Sequence, residues 1–274
     1  MPTPSLIPLN DGRSMPQLGF GTGPLRPPDA EDAIKDALAV GYRSIDTAAV
    51  YQNEEDVGRA IRASGIGRED LFVTTKVADK DHGRDTTLRA FDESLKRLGL
   101  DYVDLYLIHW PVPKLNRYVE TWAALVELRK EGRARSVGVS NFNADHLERV
   151  IDATGVVPAV NQVELHPLFQ QRPLRAVHER LGIRTEGYSP LGVNRVLSLP
   201  AVSGIAERLG RTPAQVVLAW HLARGFITIP KSAHPGRMRE NWDSLSIRLS
   251  GDDLARLDAL DENMRLAGDP EVID

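Results

Sequence analysis

Asp46, Tyr51, Lys76 and His109 are the residues of this chain whose types and positions invite chemistry. Asp46, Lys76 and His109 close short β-rich runs: Arg43-Ser44-Ile45-Asp46, Leu71-Phe72-Val73-Thr74-Thr75-Lys76 and Val103-Asp104-Leu105-Tyr106-Leu107-Ile108-His109. Tyr51 follows the first of these runs. A carboxylate, a phenol, an amine and an imidazole brought together can protonate a carbonyl oxygen near neutral pH. A phenol alone is a poor donor, with a pKa near ~10. A lysine cation about 4 Å away, at an effective dielectric near ~20, contributes roughly 4 kcal/mol, enough to bring Tyr51 toward the working range. Asp46 would keep Lys76 charged and pointed, and His109 would orient the carbonyl or share the proton. The set supplies no electrons, so a hydride source is needed. Each residue also has a plainer reading: Asp46 as a helix cap, Tyr51 as a wall residue, His109 as a core histidine. Lys76 is harder to explain that way, because a buried amine needs a carboxylate partner. The plain readings are independent of one another, whereas the chemical one takes all four residues jointly.

Two further groups fit a hydride carrier. Ser140-Asn141 after the fifth strand and Asn161-Gln162 within the sixth present amides that can hold a carboxamide, and Tyr188 at the end of the seventh can stack on a flat ring. Past the eighth strand, Ile229-Pro230-Lys231-Ser232, then Arg237 and Glu240-Asn241, place cations and a hydroxyl beside a helix N-terminus, which makes an anion site. Gly19-Phe20-Gly21-Thr22-Gly23 is one residue short of a dinucleotide fingerprint and lacks its acidic partner, so it reads as a tight strand–helix loop facing the pocket.

The elements that must position these groups alternate. Short apolar runs at 18–21, 44–46, 71–76, 103–109, 136–139, 160–163, 183–188 and 227–229 are separated by segments of helical period at 29–40, 53–63, 84–98, 118–130, 145–153, 174–181, 201–209 with 214–224, and 235–242. Eight such pairs near ~250 residues predict a (β/α)8 TIM barrel, whose chemistry sits where the carboxyl ends of its strands meet. A hairpin around Asn10-Asp11-Gly12-Arg13, with strands at 6–9 and 15–18, is expected to plug the barrel bottom, and an extra helix is expected at 252–263. No low-complexity linker divides the 274 residues, so a single domain over 1–274 is expected. Composition is ordinary for a globular chain, 42% hydrophobic and 26% charged. The net charge of -4 leaves no basic field for nucleic acid. With no cysteine, thiolate metal sites and disulfides are excluded, and no metal site is assigned. No basic, apolar leader is read at Met1-Pro2-Thr3-Pro4-Ser5, and no run approaches the ~18 apolar residues of a membrane span. A cytoplasmic monomer acting on small molecules is the expectation.

Taken together, the chain resembles the aldo-keto reductase superfamily, and within it the short prokaryotic branch of 2,5-diketogluconate and methylglyoxal reductases. The resemblance rests on Asp46-Thr47-Ala48 with Tyr51, Thr74-Thr75-Lys76, His109-Trp110-Pro111, Gly138-Val139-Ser140-Asn141-Phe142, Asn161-Gln162-Val163-Glu164 with His166-Pro167, Tyr188-Ser189-Pro190-Leu191-Gly192, and Ile229-Pro230-Lys231-Ser232 with Arg237, Glu240 and Asn241. It implies carbonyl reduction with Tyr51 as general acid and Lys76, Asp46 and His109 completing a tetrad. It implies NADPH as cofactor, bound without a Rossmann fold. Ser140, Asn141, Gln162 and Tyr188 would hold the nicotinamide, with Thr22, Ser189 and Leu191 as further cofactor positions. Lys231, Ser232 and Arg237 would hold the 2′-phosphate, with Glu240 and Asn241 at adenine. The chain departs from many relatives at Gly23 and Ala78, which carry aromatic residues there; this leaves Trp110 as the main aromatic wall of the substrate pocket. Two other functions compete. One is a cofactor-binding regulatory or sensor barrel, against which stands the complete tetrad. The other is a Schiff-base aldolase on Lys76, which needs a neutral amine that Asp46 would keep protonated.

Overall fold

The parallel strands close on themselves. The computed structural model describes residues 3–23, 25–26 and 29–273. Residues 1 and 2, read above for a leader, lie outside that description. A hairpin of β1 (Leu6–Pro8) and β2 (Ser14–Pro16) comes first. The barrel strands follow: β3 (Phe20–Gly21), β4 (Ser44–Asp46), β5 (Phe72–Val77), β6 (Val103–Ile108), β7 (Ala134–Ser140), β8 (Val160–Glu164), β9 (Arg184–Tyr188) and β10 (Ile227–Thr228). They lie side by side in chain order and every pairing is parallel. Leu18 bridges Thr228, whose N–H donates to Gln17 O at 2.9 Å and whose carbonyl accepts from Gly19 N at 2.9 Å. These bonds join the last strand to the first, so no edge strand is left exposed.

Helices fill the crossovers: α1 (Asp29–Val40), α2 (Glu54–Ser64), α3 (Arg84–Leu98), α4 (Tyr118–Lys130), α5 (Ala144–Thr154), α6 (Arg172–Leu181), α7 (Pro200–Leu209), α8 (Pro213–Ala223) and α9 (Pro235–Asp243), with α10 (Gly251–Asp258) beyond the last strand. Local signals start several of them. The Thr212 hydroxyl accepts from Gln215 N with Pro213 in the first turn, and Ser250 accepts from Asp253 N. Every residue of β5 and β6 is buried, as strands ringed by helices must be. Leu9 and Met15 of the hairpin region pack with Phe72, Leu105, Val160 and Ile227. Phe72, Val160 and Ile227 begin their strands, so the hairpin covers the amino end of the barrel, and the cavity described below opens at the carboxyl end. Gly21 lets β3 pass close to the last strand, because a Cβ there would stand 2.8 Å from Ile229 O.

The last helix is shorter than its periodicity predicts: it stops at Asp258 rather than running to residue 263. Tertiary hydrogen bonds take over. Trp220 Nε1 donates to Asp258 at 2.8 Å, Asp261 accepts from Gln170 N at 3.1 Å and Arg172 Nε at 2.8 Å, and Leu168 O accepts from Glu262 N and Met264 N. The chain leaves the helix to dock beside β8. Among the described residues, no helix is long and apolar enough to cross a membrane.

Candidate active site

Asp46, Lys76 and His109 sit at the carboxyl ends of their strands because the parallel register puts them there. Asp46 ends β4, and Lys76 lies near the end of β5, two residues beyond Thr74, the partner of Asp46. Lys76 Nζ donates to Asp46 Oδ1 at 2.7 Å and to Thr47 O at 2.8 Å, and Lys76 is fully buried. Tyr51 ends a single 3-10 turn, Ala49–Tyr51, after β4. The Lys76 ammonium lies 5.1 Å from its ring centroid, and the His109 ring meets it edge-on at 5.7 Å. The four groups therefore converge.

Burial sets their electrostatics. It raises the Tyr51 hydroxyl first, Lys76 pulls it back down, and the net is a pKa above the ordinary phenol value. Lys76 does lower the Tyr51 pKa, as expected, but burial outweighs the cation, so the phenol is not brought into the working range by Lys76 alone. Burial alone would lower Lys76; Asp46, then Tyr51, more than offset it and hold the ammonium charged. His109 is pushed down to about 3 by burial and then by Lys76. Its imidazole is neutral at physiological pH, so it can donate a hydrogen bond to a carbonyl oxygen but holds no proton to give up.

A cavity of about 460 Å³ opens above Tyr51 and His109, walled by Gly23, Trp110, Ser140, Asn141, Gln162, Tyr188, Ser189 and Leu191. The wall is tied together. Asn141 Nδ2 donates to His109 O at 3.0 Å, Tyr188 OH donates to Asn141 Oδ1 at 2.9 Å, and Ser140 Oγ donates to Gln162 O at 2.9 Å. Asn141 (φ 62°) and Ser189 (φ 48°) leave their strands in left-handed backbone, turning both runs sharply into the cavity mouth. A second cavity, of about 750 Å³, is lined by Ser232, Arg237, Glu240 and Asn241 and shares Leu191, Asn194 and Lys231 with the first. The two form one trench across the barrel mouth. Lys231 and Arg237 enter no ion pair among the described residues. Glu240 instead accepts from Thr212 Oγ1 at 2.6 Å.

Some expected residues stand elsewhere. Thr22 is buried with its hydroxyl donating to Asp46 O at 2.9 Å, so it bears on the site through the β4 backbone. Ala78 does not face this cavity: it lines a separate one between α2 and α3, beside Glu54 and Arg97. Ala78 lies just beyond the last residue of β5, Val77, where the chain enters a 3-10 turn at Asp79–Asp81. Gly23 does face Tyr51, and a Cβ there would stand 3.4 Å from its ring. The sequence reading also missed contributors. Ala267 of the C-terminal tail lines the cavity, and a Cβ on Gly268 would lie 3.7 Å from Trp110. Glu186 is fully buried beneath Tyr188, and Gln162 Nε2 donates to it at 2.9 Å and to Asp46 Oδ2 at 2.8 Å. The two-residue period of β9 puts residues 184, 186 and 188 on one face, the signal that would have found it.

Comparison with known proteins agrees with this arrangement. The model of the Aldo/keto reductase family matches residues 15–262. The chain belongs to the aldo/keto reductase family. It is 53% identical to an aldo-keto reductase of Mycolicibacterium smegmatis, covering 97% of each chain. It is 49% identical to the methylglyoxal reductase DkgA of Escherichia coli strain K12, covering 99% of this chain and 98% of the relative. Among solved structures, a mutant of Gox0644 in complex with NADPH superposes with a TM-score of 0.95 at 48% identity, covering 99% of both chains. The fold is shared with that solved structure over nearly the whole chain, and the short-branch resemblance of the sequence stands.

Proposed function

We propose that this aldo-keto reductase reduces aldehydes and ketones to alcohols with NADPH, with Tyr51 as the proton donor. One observation carries the reading: Tyr51 lies against the Lys76 ammonium and the neutral His109 ring in a cavity of about 460 Å³ that adjoins a second of about 750 Å³. The residues present fit a nicotinamide cofactor. Both N–H bonds of the Gln162 amide face carboxyl groups, at 2.8 and 2.9 Å, which leaves its oxygen to accept from a carboxamide. Ser140 and Asn141 stand beside it, Tyr188 offers a ring face, and Lys231, Ser232 and Arg237 wait for a phosphate at the far end. A bound nicotinamide supplies the hydride.

The chain's own residues manage the proton. Tyr51 gives its hydroxyl proton to the substrate oxygen as negative charge builds there. The tyrosinate left behind is stabilised by Lys76, which Asp46 and Thr47 O hold in place. Neutral His109 donates to the same oxygen and fixes its position. Trp110 and Gly23 shape the substrate side. Similarity to a methylglyoxal reductase supports this class of reaction, and we propose that the protein works as a monomer in the cytoplasm. The test is Tyr51→Phe, which keeps the ring and removes the proton. Turnover is expected to fall by about 10²–10⁴, while the Kd for NADPH, read by fluorescence titration, stays within a factor of about two, because only a transition-state interaction is lost. Near-normal kcat in this variant would remove Tyr51 from the role.

A further inference from the structure

Glu186 has no part in the mechanism above, yet it is the nearest buried acid to it. It lies inside the barrel with no exposed surface. Its Oε2 accepts from Gln162 Nε2 at 2.9 Å, the same nitrogen that donates to Asp46 Oδ2 at 2.8 Å, and its Oε1 has no partner. One amide group thus bridges two carboxyls. Among the described residues the cation that acts on it is Lys76, whose N–H bonds already face Asp46 Oδ1, Thr47 O and the Tyr51 hydroxyl. Asp46 and Lys76 make a neutral pair. A second carboxylate would be an uncompensated buried charge, which is costly, so Glu186 is held as the neutral acid.

We propose that Glu186 is a positioning residue that steadies Gln162 and Asp46 while protonated, and that its ionisation places a negative charge behind Tyr51 and turns Tyr51 off as an acid. Among the described residues, these groups face it from the packed elements. They are Asp46 from β4, Tyr51 from the turn that follows, Lys76 from β5 and the neutral amide of Gln162 from β8. Ile227 of β10 is apolar, and His221 of α8, which lies against Gly187 on the outer side of β9, is kept neutral by burial. Burial first, then Asp46, pushes Glu186 up to about 8. Ionisation therefore falls within a pH range that the protein can be assayed in. A carboxylate there disfavours the tyrosinate that proton transfer creates.

The inference rests on the carbonyl-reductase reading, and the test separates the two. In the parent, kcat for aldehyde reduction is expected to fall about tenfold above pH ~8, the effect of one charge near Tyr51. Glu186→Gln and Glu186→Leu should both lack that alkaline limb. Thermal midpoints supply a readout free of cofactor. The folded-state pKa of Glu186 is raised, so its contribution to stability is full below about 4.5 and is lost as pH rises toward about 8. The midpoint of the parent relative to Glu186→Gln should drop across that window. If the parent turns over no carbonyl with NADPH, the reductase reading fails. If the parent turns over and either variant keeps the parent's alkaline limb, or the midpoint difference is flat with pH, the role of Glu186 is overturned.

Discussion

At the scale of single residues, the site is a set of charges whose worth depends on burial. Asp46 and Lys76 are 2% and 0% exposed, and their 2.7 Å contact is one that neither could lose alone. Breaking one partner of such a pair costs about 3–5 kcal/mol, because the other charge stays buried and unpaired. Lys76→Met is therefore expected to lose stability by roughly that amount. Adding Asp46→Asn should recover part of it, since the second change removes the stranded carboxylate. Urea denaturation of the two variants checks this, and a double variant as unstable as the single one would show that the pair is not the source. Neither variant should turn over, because Tyr51 has then lost the cation that steadies its conjugate base. The charge state of Lys76, rather than that loss of turnover, separates the reductase from a Schiff-base enzyme. An amine bonded to a buried carboxylate and a carbonyl stays charged and is no nucleophile.

At the scale of elements, strand ends place the chemistry, and the C-terminal tail shapes its mouth. Glu164 ends β8 and is fully buried. Its oxygens accept from Leu266 N at 2.8 Å, Ala267 N at 2.7 Å and His166 Nε2 at 2.9 Å. Burial raises this carboxyl, but His166 and the two backbone N–H groups more than offset it and hold it below the usual range, so the tail stays clipped at neutral pH. Glu164→Gln turns an acceptor into a donor facing a backbone N–H. The expected result is a KM for carbonyl substrates raised several-fold, roughly the loss of one charged hydrogen bond, with the Kd for NADPH little changed. An unchanged KM would show that the tail does not shape the pocket. This clip was not legible in the sequence, because it joins residues about a hundred positions apart and carries no local pattern. The barrel strands and helices were legible, since a two-residue or 3.6-residue period is set by which face is buried. The same logic over-read α10, where the apolar period continues but Asp258 and Asp261 are claimed by Trp220, Gln170 and Arg172. Asp46, Tyr51, Lys76 and His109 could be singled out because polar groups at strand ends are costly without a purpose. Glu186 carries the same signal one layer deeper, beneath Tyr188 on the same face of β9. Ala78 was placed by resemblance alone, and its position between α2 and α3 depends on how the chain leaves β5.

At the scale of the whole molecule, a closed barrel covered below by its hairpin opens at its carboxyl end, and the trench crosses that face from Tyr51 to Arg237. The chain is acidic overall, with a net charge of -4, so the basic groups at the far end of the trench act locally rather than as a general field. Lys231 and Arg237 line that end with Ser232 and enter no ion pair among the described residues. NADPH differs from NADH by one phosphate, nearly dianionic at neutral pH, which matches two cations and a hydroxyl. Both side chains are exposed, so solvent screens them and only the lower end of a charged hydrogen bond, about 1.5 kcal/mol each, is expected. Two such contacts give about 3 kcal/mol, or a preference for NADPH near a hundredfold. No acidic side chain lies between Pro230 and Arg239 to repel the phosphate or to favour the free ribose hydroxyls of NADH. Because the contacts are exposed, the preference should shrink as salt rises and the screening length falls below about 8 Å. Arg237→Ala should cost roughly tenfold in NADPH affinity and little for NADH. Titrating both cofactors against both proteins at two salt concentrations measures all of this at once. Equal affinity of the parent for NADPH and NADH would show that the far end of the trench does not read the phosphate, and would leave the proton-donating end of the barrel mouth to be explained with a different hydride source.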